Sequence, residues 1–200
     1  MSTTSLFVEL LIIGAGATVW VALFLFAVVG FPTEASALQN LVKDSESLLF
    51  MAAPAFIAFT YLLGIIVDRW ADTLFGNFAR RQDTDGGFFM FKTKEEAREA
   101  RTFLYERSSA LRDLFEYGRS RLRVCRGWGL NAALTGPAAL LVIWIQLPPD
   151  APRILFTVVT VVGCGLLAMG CYRAWKNLLR GESARLFAQY NQLHAELKAE

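Results

Sequence analysis

Four long stretches of the sequence contain no charged side chain, and they alternate with stretches rich in charged residues. The uncharged stretches are Leu10–Thr33, Ser47–Val67, Gly127–Pro149 and Ile154–Tyr172. A helix needs about 20 mostly apolar residues to cross a hydrocarbon core of roughly 30 Å. Four buried helices of this length in a soluble chain of 200 residues would leave too little polar chain to cover them. The pattern therefore predicts an all-α protein with four transmembrane helices.

These stretches divide the chain into two membrane hairpins and two polar segments. The first hairpin covers residues 1–67, with spans at about 10–31 and 47–67, and the second covers 127–172, with spans at about 127–148 and 154–172. Residues 68–126 are predicted to form a cytosolic helical segment, and residues 173–200 a cytosolic C-terminal helix. The motif PPDAPR at 148–153 joins the last two spans and cannot be helical throughout, because proline lacks an amide hydrogen.

The distribution of charge predicts the side of the membrane that each polar segment faces. Charged residues make up only 19% of the chain, its net charge is +2 and its mean hydropathy is +0.39. Thirteen of the 20 Lys and Arg residues lie between Asp68 and Trp128, whereas the connection between the first two spans holds Lys43 alone. Because cytoplasmic loops are enriched in Lys and Arg, both termini and residues 68–126 are predicted to face the cytoplasm of a bacterial inner membrane.

The cytosolic segment carries a stripe of arginines. Thr93 and Glu96 form a capping box, and only Gly118 interrupts the pattern from there to Arg126, so we expect one long helix that continues into the third span. At 100° per residue, five arginines fall within about 40° of one line: Arg101, Arg112, Arg119, Arg123 and Arg126. The stripe is either a solvated, membrane-anchoring face or a surface for an anionic lipid, a nucleotide or an acidic protein partner, with Arg101, Arg112, Arg119 and Arg123 as its candidate residues. Direct contact with nucleic acid is not expected.

Polar side chains within the spans are candidates for function, because they are costly to place in a bilayer. Asn131, Thr135 and Gln146 share one face of the third span and either line a pore or form hydrogen bonds between helices. Four charged residues are predicted at a similar depth near the cytoplasmic face, where they either tie the helices together or form the inner mouth of a conduit. These rim residues are Glu9, Asp68, Arg69 and Arg126.

Small and apolar side chains mark two further contact surfaces. Small residues let membrane helices approach closely, within or between subunits, and they cluster at Gly14, Gly16 and Thr18 in the first span and at Thr160, Cys164, Ala168 and Cys171 in the fourth. The C-terminal helix has an apolar seam formed by Leu179, Leu186, Tyr190 and Leu193. The seam either joins subunits of a homo-oligomer or packs on the helix at 93–125.

The sequence offers little for catalysis or for binding a metal. It has one histidine, His194, and three cysteines, Cys125, Cys164 and Cys171, without a CxxC motif. No His or Cys cluster suited to a metal can be built from this set. We expect no enzyme activity, no catalytic residue, no metal site and no cofactor.

Two hypotheses for function follow. In the first, several subunits form a channel-like or membrane-perturbing oligomer that is controlled through its cytosolic helices. In the second, the chain is a non-catalytic membrane anchor or adaptor whose arginine-striped lobe recruits a soluble partner. In architecture, the four spans and the cytosolic helical lobe resemble the small multi-pass membrane proteins of bacterial anti-phage systems. That resemblance implies an effector or sensor in bacterial defence.

Overall fold

The computed structural model describes residues 3–30, 46–82, 91 and 93–199, and within these ranges it is almost entirely helical and contains no strand. The helices are α1 (Thr3–Val29), α2 (Glu46–Gln82), α3 (Lys94–Arg107), α4 (Ser109–Gln146) and α5 (Arg153–Ala199). Four of them, α1, α2, α4 and α5, are long and apolar enough to cross a membrane, as the sequence predicts. The connection that carries Lys43 lies outside the described residues.

The polar segments are largely continuations of the apolar helices. α2 continues past its apolar stretch to Gln82, and α4 begins 18 residues before Gly127. At about 1.5 Å per residue, α4 is about 57 Å long and α5 about 70 Å. The region formed by α3, residues 109–126 of α4 and residues 173–199 of α5 is called the polar lobe below.

A break at Ser108 corrects the expectation of one helix from Thr93 to Arg126. Ser108 is extended, with φ −147° and ψ 118°; its N–H donates to the carbonyl of Leu104 at 3.2 Å, and its hydroxyl accepts from the N–H of Leu111 at 3.4 Å. Serine is a favoured N-cap because its hydroxyl can satisfy such an N–H group. Ser108 thereby ends α3 and starts α4. The other predicted cap is confirmed, since the Glu96 N–H donates to the Thr93 hydroxyl at 3.1 Å.

The apolar helices pack around α4, with α1 and α2 crossing on one side and α5 running along another. The α1–α2 crossing depends on two glycines: a Cβ on Gly14 would overlap the Thr60 carbonyl, and a Cβ on Gly64 would overlap the Leu10 carbonyl. Ile13, Ala17 and Val67 fill the core beside this crossing.

Contacts between α4 and α5 also involve small residues. Cβ atoms built on Gly136 and Gly129 would lie 3.5 Å from the Cβ atoms of Cys164 and Cys171, respectively. Both predicted small-residue surfaces therefore make contacts within the chain.

The apolar seam of the C-terminal helix is used within the chain as well. Leu186 is buried against Leu104 and Phe115, and Tyr190 and Leu193 pack around the same cluster. Leu179 packs near Phe75 and Trp175. The predicted oligomer seam is thus covered by the chain's own helices. This agrees with the alternative that the seam packs within the chain.

Candidate functional site

Asn131 is the most buried polar side chain of the candidate stripe, at 1% exposure. Its amide nitrogen donates to the Ile13 carbonyl at 2.8 Å, and its amide oxygen accepts from Trp20 Nε1 at 3.2 Å. Gly16 leaves room for the amide, because a Cβ there would lie 2.5 Å from Asn131 Nδ2. The side chain therefore connects α4 to the backbone and the indole of α1.

The other two residues of the stripe also bond to helices. Gln146 Nε2 donates to the Ala27 carbonyl of α1 at 2.9 Å, and the Thr135 hydroxyl donates to the carbonyl of Asn131 in its own helix at 2.8 Å. Asn131 and Gln146 thus hold the two ends of one α1–α4 interface. These contacts agree with the prediction that the stripe forms hydrogen bonds between helices. Within a single chain, these three side chains therefore line no polar channel.

Charged residues meet where the apolar helices enter the polar lobe, in what we call the rim cluster: Glu9, Asp68, Asp72, Arg123 and Arg126. Arg123 Nη1 donates to Glu9 Oε2 at 2.6 Å, and its Nε lies 3.8 Å from Asp68 Oδ1. Arg126 Nη2 donates to Asp68 Oδ1 at 3.0 Å, and its Nη1 donates to Asp72. Because the acids lie on α1 and α2 and the arginines on α4, the cluster ties three helices together.

Burial gives the rim cluster its energetic importance. Glu9 is 5% exposed and Asp68 is 4% exposed. A carboxylate withdrawn from water costs several kcal/mol unless a paired charge and hydrogen bonds compensate for it. Each carboxylate of the cluster contacts an arginine. This arrangement is suited to holding helices together, whereas a cation pathway uses acidic groups that are open to the ion.

The rim cluster overlaps the sequence prediction without coinciding with it. Glu9, Asp68 and Arg126 are brought together, but the Arg69 side chain is exposed. Successive residues of a helix point about 100° apart, so Arg69 cannot share the direction of Asp68. Asp72 was missed, although it follows Asp68 by four residues and so lies on the same helix face.

The arginine stripe divides into two groups. Arg123, predicted to bind an anionic ligand, pairs with Glu9 and Asp68 and belongs to the rim cluster. Arg112 and Arg119 are exposed on α4, with Arg112 Nε 4.0 Å from Glu116. Arg101 lies on a different helix from the rest of the stripe, because the break at Ser108 separates α3 from α4. Burial lowers the pKa of the Arg101 guanidinium, and the nearby positive charge of Arg119 lowers it further.

A carboxylate lies among the lobe arginines. Glu182 of α5 packs over Gly118 of α4, where a Cβ would overlap its carboxylate. Burial raises the pKa of Glu182, while Arg185, Arg121 and Arg101 act in the opposite direction. The sequence signal for this contact was Gly118 itself, the single glycine in a long helical pattern. Its partner was not apparent because Glu182 is distant in the chain.

The described residues contain no group of three His, Cys, Asp or Glu side chains that could hold a metal ion. The three cysteines are free thiols.

No protein-family model matches the chain, and neither the curated proteins nor the solved structures yield a significant match.

Proposed function

We propose that this chain is a non-catalytic adaptor of the bacterial inner membrane that recruits an acidic soluble protein to its polar lobe. In this proposal α1, α2, α4 and α5 span the bilayer, and the lobe and both termini face the cytoplasm. The orientation is supported by the excess of Lys and Arg in the lobe, since such residues are retained on the cytoplasmic side.

The observation that carries the proposal is that Arg112 and Arg119 are both exposed on one face of the α4 part of the lobe. Arg101 of α3 adds positive charge nearby: burial lowers the pKa of its guanidinium and the positive charge of Arg119 lowers it further, while Glu182 acts in the opposite direction. Like charges held together destabilise a free protein, and an anionic partner converts that repulsion into attraction. Arginine is suited to this because its planar guanidinium can donate two parallel hydrogen bonds to a carboxylate.

Continuous helices give the adaptor a defined geometry. α4 and α5 run without interruption from the apolar region into the lobe. At the boundary, Arg123 and Arg126 fix α4 to α1 and α2. A partner bound at Arg119 would therefore be held at a set distance from the membrane, about 10 Å along α4 from Arg126.

The test is native mass spectrometry of the protein purified in mild detergent from the cells that make it. The expected result is a complex with a soluble protein of acidic composition that is retained in Arg69→Glu and lost in Arg119→Glu. Both variants reverse one exposed arginine, but Arg69 lies on α2 outside the lobe. Equal loss in the two variants, or no soluble partner, would overturn the proposal.

A second candidate is the oligomeric channel, and the exposed surface of α5 favours it. No residue from 153 to 174 is buried, so this segment could pack against other subunits. A closed ring of four or more copies in the same measurement would replace the adaptor with the channel. The resemblance to anti-phage membrane proteins adds one assay for either candidate, namely the survival of expressing cells under phage challenge.

A further inference from the structure

A cavity of about 560 Å³ lies between α4 and α5 within the polar lobe, and one end of it reaches the border with the apolar segments. One end is lined by Val124, Cys125 and Ala174, which are the lining residues nearest the apolar segments. The other end is lined by Arg121, Glu182 and Arg185. The cavity is therefore apolar at the end nearest the apolar segments and polar at the far end. A membrane lipid has its acyl chains and its headgroup in the same order.

The polar end of the cavity has an excess of positive charge. Arg185 Nη1 lies 3.8 Å from Glu182 Oε1, and Arg101 and Arg121 also interact electrostatically with this carboxylate. The lining of this end therefore contains two arginines and one carboxylate. Arg121 and Arg185 are exposed, so their remaining donors can reach a ligand in the cavity. An arginine fork fits the oxygen atoms of a phosphate group.

The cavity begins at the depth of the lipid headgroup layer and extends from there into the polar lobe, where Glu182 packs level with Gly118 and Arg185 lies farther out. Arg121 lies five residues before Arg126, which is about 7 Å along the helix axis. The headgroup layer on each side of a bilayer is about 5–7 Å thick. Basic pockets between helices on the cytoplasmic side are suited to phospholipid headgroups.

We infer that the α4–α5 cavity binds an anionic phospholipid, with its phosphate on Arg121 and Arg185 and its acyl chains against α5. A free phosphate compound offers the same chemistry to the arginines, but it leaves the apolar end of the cavity unfilled. The inference requires that α4 and α5 span a membrane, and it stands whether or not the lobe recruits a protein partner.

The test is a titration followed by native mass spectrometry, in which the protein in mild detergent binds short-chain phosphatidylglycerol, short-chain phosphatidylcholine or glycerol phosphate. Phosphatidylglycerol is expected to bind most tightly. Arg121→Gln with Arg185→Gln should raise its Kd about tenfold or more, because two charge-assisted contacts are lost. The matched control, Arg112→Gln with Arg173→Gln, removes one exposed arginine from each helix outside the cavity and should leave the Kd unchanged.

Glu182→Gln distinguishes loss of the binding site from loss of the fold, because this variant is expected to strengthen binding. It keeps the shape of the side chain and removes the negative charge beside the phosphate, so phosphatidylglycerol should bind several-fold more tightly. Equal weakening in the two double variants would overturn the inference, as would equal binding of phosphatidylcholine. Glycerol phosphate binding as tightly as phosphatidylglycerol would assign the cavity to a soluble compound instead.

Discussion

The apolar segments of α1 and α5 are almost equally hydrophobic, yet the chain packs them in opposite ways. Over a quarter of the apolar window of α1 is buried, including Ile13 and Ala17, whereas no residue from 153 to 174 of α5 is buried. Hydropathy alone therefore does not determine which helix enters the interior. Both segments satisfy the length and composition that a bilayer requires.

The difference comes from a few polar atoms and glycines. α1 receives side-chain hydrogen bonds from Asn131 and Gln146, an ion pair from Arg123, and a backbone crossing at Gly14. Between membrane helices, close packing and hydrogen bonds drive association, because lipid tails are as apolar as the side chains. α5 contacts α4 along one side through small residues such as Cys164, and the rest of its apolar surface remains open.

The largest effect is expected from Gly14→Ala. The added methyl group would overlap the Thr60 carbonyl, so α1 and α2 would have to separate. We expect a loss of about 3 kcal/mol in the free energy of unfolding, measured by SDS titration in mixed micelles. Gly163→Ala is the matched control, because a Cβ there meets no atom within 4 Å. Equal stability of the two variants would contradict the α1–α2 crossing.

A smaller loss is expected from Asp68→Asn, which removes the carboxylate that Arg123 and Arg126 share. Breaking a fully buried ion pair costs about 3–5 kcal/mol, and the partial exposure of these arginines reduces the expected loss to about 2 kcal/mol. The apparent melting temperature in mild detergent measures it. Asp113→Asn, an exposed site on α4, should leave that temperature unchanged. An equal decrease in both variants would show that the rim cluster does not tie the helices.

The sequence predicts the helices better than it predicts their partners. The four apolar stretches and the Thr93 cap are evident because they depend on local composition and on residues three apart. Asn131 bonds to the Ile13 carbonyl of α1, which lies 118 residues away in the chain, so no local pattern predicts this contact. The break at Ser108 was missed because serine lowers helix stability only slightly, while α3 gains by packing Leu104 against Leu186.

The sequence predicts only part of the rim cluster, because contacts between distant residues decide the rest. Depth in a membrane can be counted along each helix, so Glu9, Asp68 and Arg126 could be placed at one level. The direction of each side chain around its helix depends on how the helices rotate when they pack. Because of that rotation, the Arg69 side chain is exposed outside the rim cluster, whereas Arg123 points into it and pairs with Glu9.

Asn131→Leu removes the side chain that joins α4 to α1. Hydrogen bonds between membrane helices average about 0.6 kcal/mol each and reach about 1.7. Two are lost here, and the Trp20 indole N–H loses its acceptor, so we expect a loss of about 1–2 kcal/mol. Thr135→Val is the control in the same SDS titration, since its hydroxyl bonds only within α4. A loss in Thr135→Val as large as in Asn131→Leu would contradict the assignment.

Gly136→Ala tests the α5 side of the comparison and should have the smallest effect. A Cβ at Gly136 would lie 3.5 Å from the Cβ of Cys164, an ordinary van der Waals distance, so α4 and α5 need not move. Replacing a helical glycine with alanine also favours the helix by about 0.5–1 kcal/mol. We therefore expect unchanged or slightly raised stability in the same titration. A loss comparable with that of Gly14→Ala would mean that α5 is held as tightly as α1, and the contrast between the two helices would then fail.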